Sequence, residues 1–264
     1  MMFENSVAYE TYAVFGRWMK KTLRKPIFLF FSLVQPIVWF VLFTQSFQQI
    51  ASIPGFERIT GTNSYLTYFS AAVLIQTIIS SAMQSGLGMV QDIESGFLDK
   101  MRVAPIRRFS ILTGKVMSDG VRILLQTIII MALGFALGVT VATGVGGFLL
   151  ILILSAAFGV VWSGLSLLIG LATRNSEATL MISLLTTFPL LFLSTAVMPL
   201  QFLPNWVQTV ATYNPMSYIA DAFHSLIIHG FDWGVLGQAS LVIIAIGTVA
   251  LAATTAMFRR ALAR

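Results

Sequence analysis

The sequence predicts an all-α integral membrane protein with six transmembrane helices and several shorter helices outside them. Three observations predict this class. Of the 264 residues, 57% are hydrophobic and only 10% are charged, whereas soluble domains carry about 25% charged residues. The apolar residues form long segments, and each span needs about 20 of them. The basic residues flank these segments, so the net charge of +6 does not form the clustered surface that binds nucleic acid.

Residues 8–25 are the first informative segment, because their basic and apolar residues segregate at helical spacing. One face carries Arg17, Lys20, Lys21 and Arg24. The opposite face carries Tyr12, Phe15, Met19 and Leu23, and Trp18 lies at the flank. This pattern predicts a helix in the headgroup plane, with its cations toward anionic lipid and its rings in the acyl boundary. A solvated leader with stop-transfer charges is the alternative.

The first predicted span covers about 27–47, begins after Pro26 and is kinked at Pro36. A polar loop over 51–64 leads to a second span at about 65–90. A third span reaches about Thr140, and Gly134 and Gly138 within it have the G-x-x-x-G spacing that allows close helix packing.

The second half of the chain predicts three more spans and one irregular region. A tight turn at 144–147 precedes the fourth span at 148–173. The fifth span is expected at about 178–198, with Pro189 as a kink, and the sixth at about 237–258. Residues 199–234 are too broken for a span and too hydrophobic for a free loop. They predict one or two interfacial or re-entrant helices on the extracellular side.

The distribution of basic residues predicts the orientation, since cytoplasmic flanks are rich in lysine and arginine. With both termini in the cytoplasm, five basic residues precede the first span, six lie over 100–122, one is Arg174 and three end the chain. Only Arg58 of the 16 then lies outside. We therefore expect a multi-pass protein of the cell membrane with both termini cytoplasmic.

Motifs for catalysis are absent from the sequence. The chain has no cysteine, and His224 and His229 lack the glutamate of a zinc-protease helix. The string Gly164-Leu165-Ser166-Leu167-Leu168 lacks the last glycine of a nucleophile elbow. Gly114-Lys115 lacks the upstream glycine of a phosphate-binding loop, so we do not expect this chain to be an ATPase.

The charged stretch 91–122 carries the strongest functional signal. Within it, residues 94–105 predict a short cytoplasmic helix whose apolar face is formed by Phe97, Leu98 and Met101. Such a face suits docking into a partner's groove, and a helix lying on the membrane is the alternative. Asp119 and Arg122, three residues apart, are expected to pair near the cytoplasmic end of the third span.

Residues 91–126, QDIESGFLDKMRVAPIRRFSILTGKVMSDGVRILLQ, resemble the cytoplasmic segment of type-two ABC exporter permeases, particularly the daunorubicin-resistance-like branch. Residues 24–47, which contain Gln35-Pro36, are similar to that family's first span. The stretch from Phe192-Leu193-Ser194 through Asn214-Pro215 to Gly230 is similar to its extracellular helical region. The resemblance covers almost the whole chain, and the order of its motifs agrees with the predicted topology.

The resemblance implies an N-terminal elbow helix, six spans and a coupling helix that docks on a separately encoded nucleotide-binding ATPase subunit. ATP and Mg²⁺ would be bound by that partner and not by this chain. A second permease copy or a paralogue would complete the transporter. The coupling residues would be Glu94, Gly96, Phe97, Leu98, Asp99, Lys100, Met101, Arg102 and Pro105.

The spans carry no central charge, which disfavours a proton-driven antiporter and favours an apolar or amphipathic drug-like or lipid-like substrate. The candidate pathway residues are aromatic or neutral polar: Gln35, Trp39, Phe40, Phe43, Tyr68, Gln76 and Phe192. A polysaccharide-exporting permease of the same architecture is an alternative. A membrane enzyme acting on lipid, with Asp221, His224 and Asp232 as its polar groups, and a non-transporting scaffold are two others.

Overall fold

The structure, a computed structural model, describes residues 6–24, 26–97 and 106–261. Within these ranges the chain is helical and contains no strand. The α-helices are α1 (Val7–Leu23), α2 (Pro26–Phe47), α3 (Phe56–Thr60), α4 (Tyr65–Glu94), α5 (Arg108–Ala136), α6 (Gly144–Thr173), α7 (Ser176–Phe192), α8 (Asn205–Tyr213), α9 (Pro215–His224) and α10 (Trp233–Ala261). Two 3₁₀ segments, Gln48–Ser52 and Leu200–Phe202, and a π-helical turn, Ser225–His229, complete the described elements.

Four of the described helices are long and apolar enough to cross a membrane. They are α4, α5, α6 and α10. Helix α7 is also apolar but has only 17 residues. These helices indicate a multi-pass membrane protein, and the count of six spans stays a prediction.

Helix α4 lies at the centre of the bundle, with most of its residues buried. Its close packing on α6 depends on two glycines. A Cβ at Gly86 would lie 2.2 Å from the Ser166 carbonyl oxygen, and one at Gly170 would lie 2.8 Å from the Gly86 carbonyl oxygen. The Ser166 hydroxyl accepts from the Gly86 N–H at 3.1 Å and donates to the Met83 carbonyl at 3.0 Å. The two backbones therefore meet without a side chain between them.

The end of α5 corrects the predicted third span, which was expected to reach Thr140. The helix ends at Ala136 because Gly138 adopts φ +99°, a conformation that glycine adopts without strain. The Val139 N–H donates to the Gly134 carbonyl at 2.9 Å and the Gly138 N–H to the Phe135 carbonyl at 3.1 Å, which is a Schellman C-cap. A Cβ at Gly138 would meet nothing within 4 Å, so this glycine ends a helix and does not pack against one.

The predicted tight turn at 144–147 is also wrong, because these residues form the first turn of α6. The connection lies just before them, where the backbone N–H groups of Ala142 and Thr143 donate to the carbonyls of Ile227 and Leu226 at 2.9 and 3.3 Å. These bonds hold the connection between α5 and α6 against the π-helical turn. The sequence pattern did not indicate this contact.

The expected fifth span also ends early, at Phe192 and not near residue 198. The Asn214 side-chain amide donates to the Leu190 and Leu193 carbonyls at 2.6 and 2.8 Å. These bonds satisfy the last carbonyls of α7, which would otherwise lack partners. Helices α8 and α9 follow within the region that the sequence assigned to short helices.

The last helix begins four residues earlier than expected, at Trp233. The Asp232 carboxylate accepts from the N–H groups of Gly234 and Val235 at 2.9 and 3.1 Å, so it caps the N-terminus of α10.

Candidate functional site

Helix α1 contacts the end of α4 through one buried carboxylate. Asp92 is 3% exposed, and its Oδ2 accepts from both terminal nitrogens of Arg17 at 3.2 Å. Its Oδ1 accepts from Lys21 Nζ at 2.9 Å. Arg17 and Lys21 are four residues apart and share one face of α1, so both cations reach the same acid. This pair of ion pairs fixes α1 against the C-terminal end of α4.

Aromatic rings complete the same contact. The Arg17 guanidinium carbon lies 3.4 Å from the centre of the Phe97 ring and 5.1 Å from that of Trp18. On α5, which also packs against α1, Lys115 Nζ lies 4.2 Å from the centre of the Trp18 ring. Cations over ring faces add attraction that increases when water is excluded. Trp18 thus links α1 to α5 as well as to α4.

A second carboxylate of α1 holds the start of α5. Glu10 accepts from the Arg107 backbone N–H at 3.0 Å and from the Ser110 hydroxyl at 2.9 Å. The pKa of the Glu10 carboxyl lies below its usual value, chiefly because of the hydrogen bond from the Arg107 N–H and next because of that from the Ser110 hydroxyl. Acids near a helix N-terminus also interact favourably with its dipole.

These contacts place α1 against both flanks of the predicted coupling helix. On the α4 side, Gly96 ends the helix with φ +66°, Phe97 is half-buried, and the exposed Glu94 accepts from the Ser176 hydroxyl of α7 at 3.3 Å. The remaining coupling residues, Leu98, Asp99, Lys100, Met101, Arg102 and Pro105, lie outside the described residues. The structure therefore places the two flanks of this segment but not the segment itself.

A buried charge cluster lies farther along α5. The expected pair is confirmed, since Arg122 Nη2 lies 2.9 Å from Asp119 Oδ1. Lys115 Nζ lies 2.8 Å from both oxygens of the same carboxylate, and the Ser85 hydroxyl of α4 also donates to it. Arg122 donates to the Ser81 hydroxyl and carbonyl at 3.0 and 2.8 Å.

Lys115 was missed by the sequence reasoning, although its i,i+4 spacing to Asp119 is a recognised pairing signal. All three charged residues of the cluster are at most 7% exposed. Two cations share one anion there, so the cluster depends on Asp119 and on its hydrogen bonds to α4.

The residues predicted for the membrane surface divide into two groups. Lys20 and Arg24 are exposed. All four cations line an open groove of about 710 Å³ that also contains Tyr12 and Gly16. Arg17 and Lys21 face Asp92 instead of pointing away from the protein. Trp18, expected at the flank, is 5% exposed and packs on Gly88, because glycine leaves room for the indole against α4.

Three of the predicted pathway residues meet on one side of α2. Trp39 stacks on Phe43 with ring centres 4.7 Å apart, and it lies 5.9 Å from the rings of Phe188 and Phe192 on α7. Phe43 also stacks on Phe69 of α4 at 5.4 Å. We call Trp39, Phe43, Phe188 and Phe192 the aromatic face. Phe192 is 42% exposed, so this face is open on one side.

The other four predicted pathway residues are not part of these ring contacts. Gln35 is exposed, and Phe40 is 1% exposed, on another side of α2. Tyr68 and Gln76 are buried on α4, where the Tyr68 hydroxyl donates to the Thr195 carbonyl at 2.6 Å and the Gln76 amide to Ser80 Oγ at 3.5 Å. Gln35 is four residues before Trp39 and therefore shares its side of α2, whereas the structure does not bring Phe40, Tyr68 and Gln76 to the aromatic face.

The polar groups considered for a lipid-modifying enzyme do not form one constellation. His224 stacks on the Tyr68 ring at 4.2 Å, and its Nε2 lies 3.1 Å from the Tyr68 carbonyl. Asp221 accepts from the Thr195 hydroxyl at 2.7 Å, and Asp232 caps α10. Each group thus has a local structural partner.

Comparison with known proteins gives a consistent result. The model of the ABC-2 type transporter family matches residues 9–228. The ycf38 transport permease of Cyanophora paradoxa is 30% identical, over 83% of this chain and 74% of that protein. The ycf38 permease of Porphyra purpurea is 30% identical, over 88% of this chain and 78% of that protein. Daunorubicin resistance ABC transporter permease protein DrrB1 of Streptomyces coeruleorubidus is 25% identical, over 78% of this chain and 70% of that protein.

Proposed function

The chain belongs to the ABC-2 type transporter family, and on that premise we propose that it is the permease subunit of an ATP-driven exporter. It would move an apolar or amphipathic compound out of the cytoplasm or the inner leaflet of the cell membrane. A separate ATPase subunit would bind ATP and Mg²⁺ and supply the energy. The resemblance to a daunorubicin resistance permease supports a drug-like or lipid-like substrate.

In this proposal the chain crosses the membrane six times, with both termini in the cytoplasm. Helices α2 and α7 join the four long apolar helices as spans. Helix α1 is the elbow helix at the inner surface, where Lys20 and Arg24 face anionic headgroups. Helices α8 and α9 lie on the extracellular side.

The observation that carries the proposal is the contact of α1 with both flanks of the coupling segment. Asp92 and Phe97 contact α1 before residues 98–105, and Arg107 and Ser110 contact it after them. Because both flanks of the segment are anchored on α1, a movement of a docked ATPase can be transmitted to α4 and α5 and need not be absorbed within the segment. The buried cluster of Lys115, Asp119 and Arg122 then ties these two helices together.

The aromatic face supports the substrate assignment. Its four rings carry no charge, and ring contacts bind apolar compounds with few fixed hydrogen bonds. A second permease copy or a paralogue would close the open side of this face and complete a pathway between two subunits.

Reconstitution with the ATPase partner tests this function. Neighbouring reading frames would first be searched for an ABC ATPase with a phosphate-binding loop. That ATPase would be co-purified with the chain and placed in proteoliposomes with a panel of fluorescent amphipathic compounds. We expect ATP-dependent efflux and compound-stimulated ATP hydrolysis. Hydrolysis that no compound alters, with no efflux, would favour the scaffold alternative.

Charge reversal tests the docking segment separately. The triple change Asp99→Lys, Lys100→Glu and Arg102→Glu should weaken association with the ATPase, because it inverts the charges around the predicted apolar face. Arg58→Glu, an exposed change in the predicted outer loop, is the matched control and should leave association unchanged. Equal co-purification and transport by the triple variant would contradict the docking assignment.

A further inference from the structure

A cavity of about 330 Å³ lies at the outer end of α2, where it meets the start of α4 and the end of α5. Its apolar lining includes Phe40, Val41, Leu66 and Leu137. Its polar lining is Thr44, Gln45, Gln48, Asn63 and Ser64. The lining residues include no charged side chain. The volume is at the lower end of the range typical of ligand pockets.

The cavity is separate from the aromatic face. Trp39 and Phe43 are four residues apart and share one side of α2, whereas Phe40, Thr44 and Gln48 continue along another. At 100° per residue, the centre of the cavity side is more than a quarter turn from the aromatic side. A molecule in this cavity would therefore not contact the aromatic face.

Thr44 lines this cavity and has a buried hydroxyl without a hydrogen-bond partner among the described residues. The residue as a whole is 9% exposed. Several other helical threonines donate to the carbonyl four residues earlier, as Thr77 does to Val73 at 2.7 Å and Thr186 to Ile182 at 2.8 Å, whereas Thr127 of α5 also has no partner among the described residues. Buried hydroxyls without a partner are unfavourable, so the site is suited to a molecule that supplies one.

Two neighbouring polar groups are already engaged. The Ser64 hydroxyl accepts from the Thr67 N–H at 3.3 Å as the N-cap of α4, and the Tyr65 hydroxyl donates to the Val197 carbonyl at 3.3 Å. Tyr65 therefore offers its ring to the cavity, while the buried Thr44 hydroxyl becomes available to it on rotation of the side chain. The exposed amides of Gln45, Gln48 and Asn63 lie at the rim.

We propose that this cavity binds one small uncharged amphiphile. The apolar body of the ligand contacts Phe40 and Leu137, and its hydroxyl or carbonyl oxygen pairs with the Thr44 hydroxyl after rotation of that side chain. The rim amides bind the rest of the polar head. The absence of charged lining residues selects against ions, because an ionised group would lose hydration without gaining a partner. The binding does not depend on the transport function proposed above.

Photolabelling tests the site directly. The probe is a diazirine-bearing medium-chain alcohol, added to the purified full-length chain in nanodiscs, and labelled peptides are mapped by mass spectrometry. We expect labelling within residues 40–48 and 63–66, and competition by the unlabelled alcohol. Labelling that is absent from both stretches would overturn the proposal.

Matched variants show whether the hydroxyl and the cavity volume matter. Thr44→Val removes the hydroxyl at nearly constant shape and should weaken binding about fivefold to tenfold. Thr186→Val, at an exposed threonine of α7, should leave it unchanged. Leu137→Trp and, independently, Val41→Trp should fill the cavity and abolish labelling. Wild-type affinity in Thr44→Val, or wild-type labelling in both tryptophan variants, would overturn the assignment.

Native mass spectrometry distinguishes the two sources of such a ligand. A neutral lipid that co-purifies with the wild type and is lost from Leu137→Trp would identify the membrane as the source. Binding only after addition of the alcohol would identify a compound that arrives from elsewhere. Both results support the site, and a lipid retained equally by the wild type and by both tryptophan variants, without specific labelling, contradicts it.

Discussion

Asp92 of α4 lies 2.9 Å from Lys21 of α1, a contact between residues 71 positions apart in the chain. Arg17 donates to the same carboxylate. The N-terminal helix is therefore not only a surface element. It is joined by charge to the helix end that leads into the predicted coupling segment.

Loss of the Asp92 charge is expected to loosen α1. Asp92→Asn removes both ion pairs but keeps one acceptor oxygen, and the two cations can recover water because their side chains are 31% and 29% exposed. We therefore expect a loss of about 1 kcal/mol in the free energy of unfolding. Thermal unfolding in detergent, followed by tryptophan fluorescence, measures it. Glu57→Gln, at an exposed acid of α3, is the control, and identical melting of both variants would refute the expectation.

The buried cluster predicts unequal effects at Lys115 and Asp119. Asp119→Asn leaves two buried cations without their anion and should cost about 3–5 kcal/mol. Lys115→Met leaves Asp119 paired with Arg122 and hydrogen-bonded by Ser85, so its cost should be clearly smaller. The melting temperature and the yield of monodisperse protein report the difference. A Lys115→Met variant as unstable as Asp119→Asn would show that the anion is not the centre of the cluster.

Stability should fall in mild acid because of His224. Burial lowers the pKa of this imidazole to about 4 from its ordinary 6.5, so the folded chain keeps it neutral while the unfolded chain takes up a proton. The stabilisation is complete above about pH 6.5 and is lost as the pH falls toward 4. Between pH 7 and 5 the loss should be about 2 kcal/mol.

Melting temperatures measured from pH 8 to 5 check this expectation. His224→Phe keeps a ring against Tyr68 but cannot titrate, so its pH dependence should be flatter than that of the wild type. His229→Gln removes an exposed ring whose charge makes only a minor contribution to the lowered pKa of His224, so its slope should change much less than that of His224→Phe. Parallel curves for the wild type and His224→Phe would rule out His224 as the source.

Two glycine substitutions should differ in their effect on the free energy of unfolding. Gly86→Ala places a Cβ 2.2 Å from the Ser166 carbonyl oxygen, which forces α4 and α6 apart and should destabilise the fold by at least 1–3 kcal/mol, roughly the cost of overpacking. Gly237→Ala meets nothing within 4 Å and should be neutral or stabilising by up to about 1 kcal/mol. Thermal unfolding of the two variants provides the measurement, and a tolerated Gly86→Ala would contradict the close approach.

Much of the fold follows from local patterns. Composition and segment length identify the chain as a multi-pass membrane protein, and charge spacing within one helix predicts the Asp119–Arg122 pair. The residues of 91–126 that resemble type-two ABC exporter permeases point to the family that the comparisons show. Each of these signals acts over a few residues or a single helix, where sequence spacing translates directly into position.

The tertiary structure decides which faces meet. Periodicity places Arg17 and Lys21 on one face of α1, but only the packing of α4 turns that face toward Asp92 instead of lipid. Lys115 is drawn into the interior by the same packing. In an apolar helix the sequence says little about which face packs against protein, because lipid and the protein interior favour the same residues. The sequence by itself therefore determined the class, the family and the approximate positions of the long apolar helices, because these follow from composition and local pattern. The long-range contacts decided where several helices begin and end, the division of the pathway residues and the anchoring of α1.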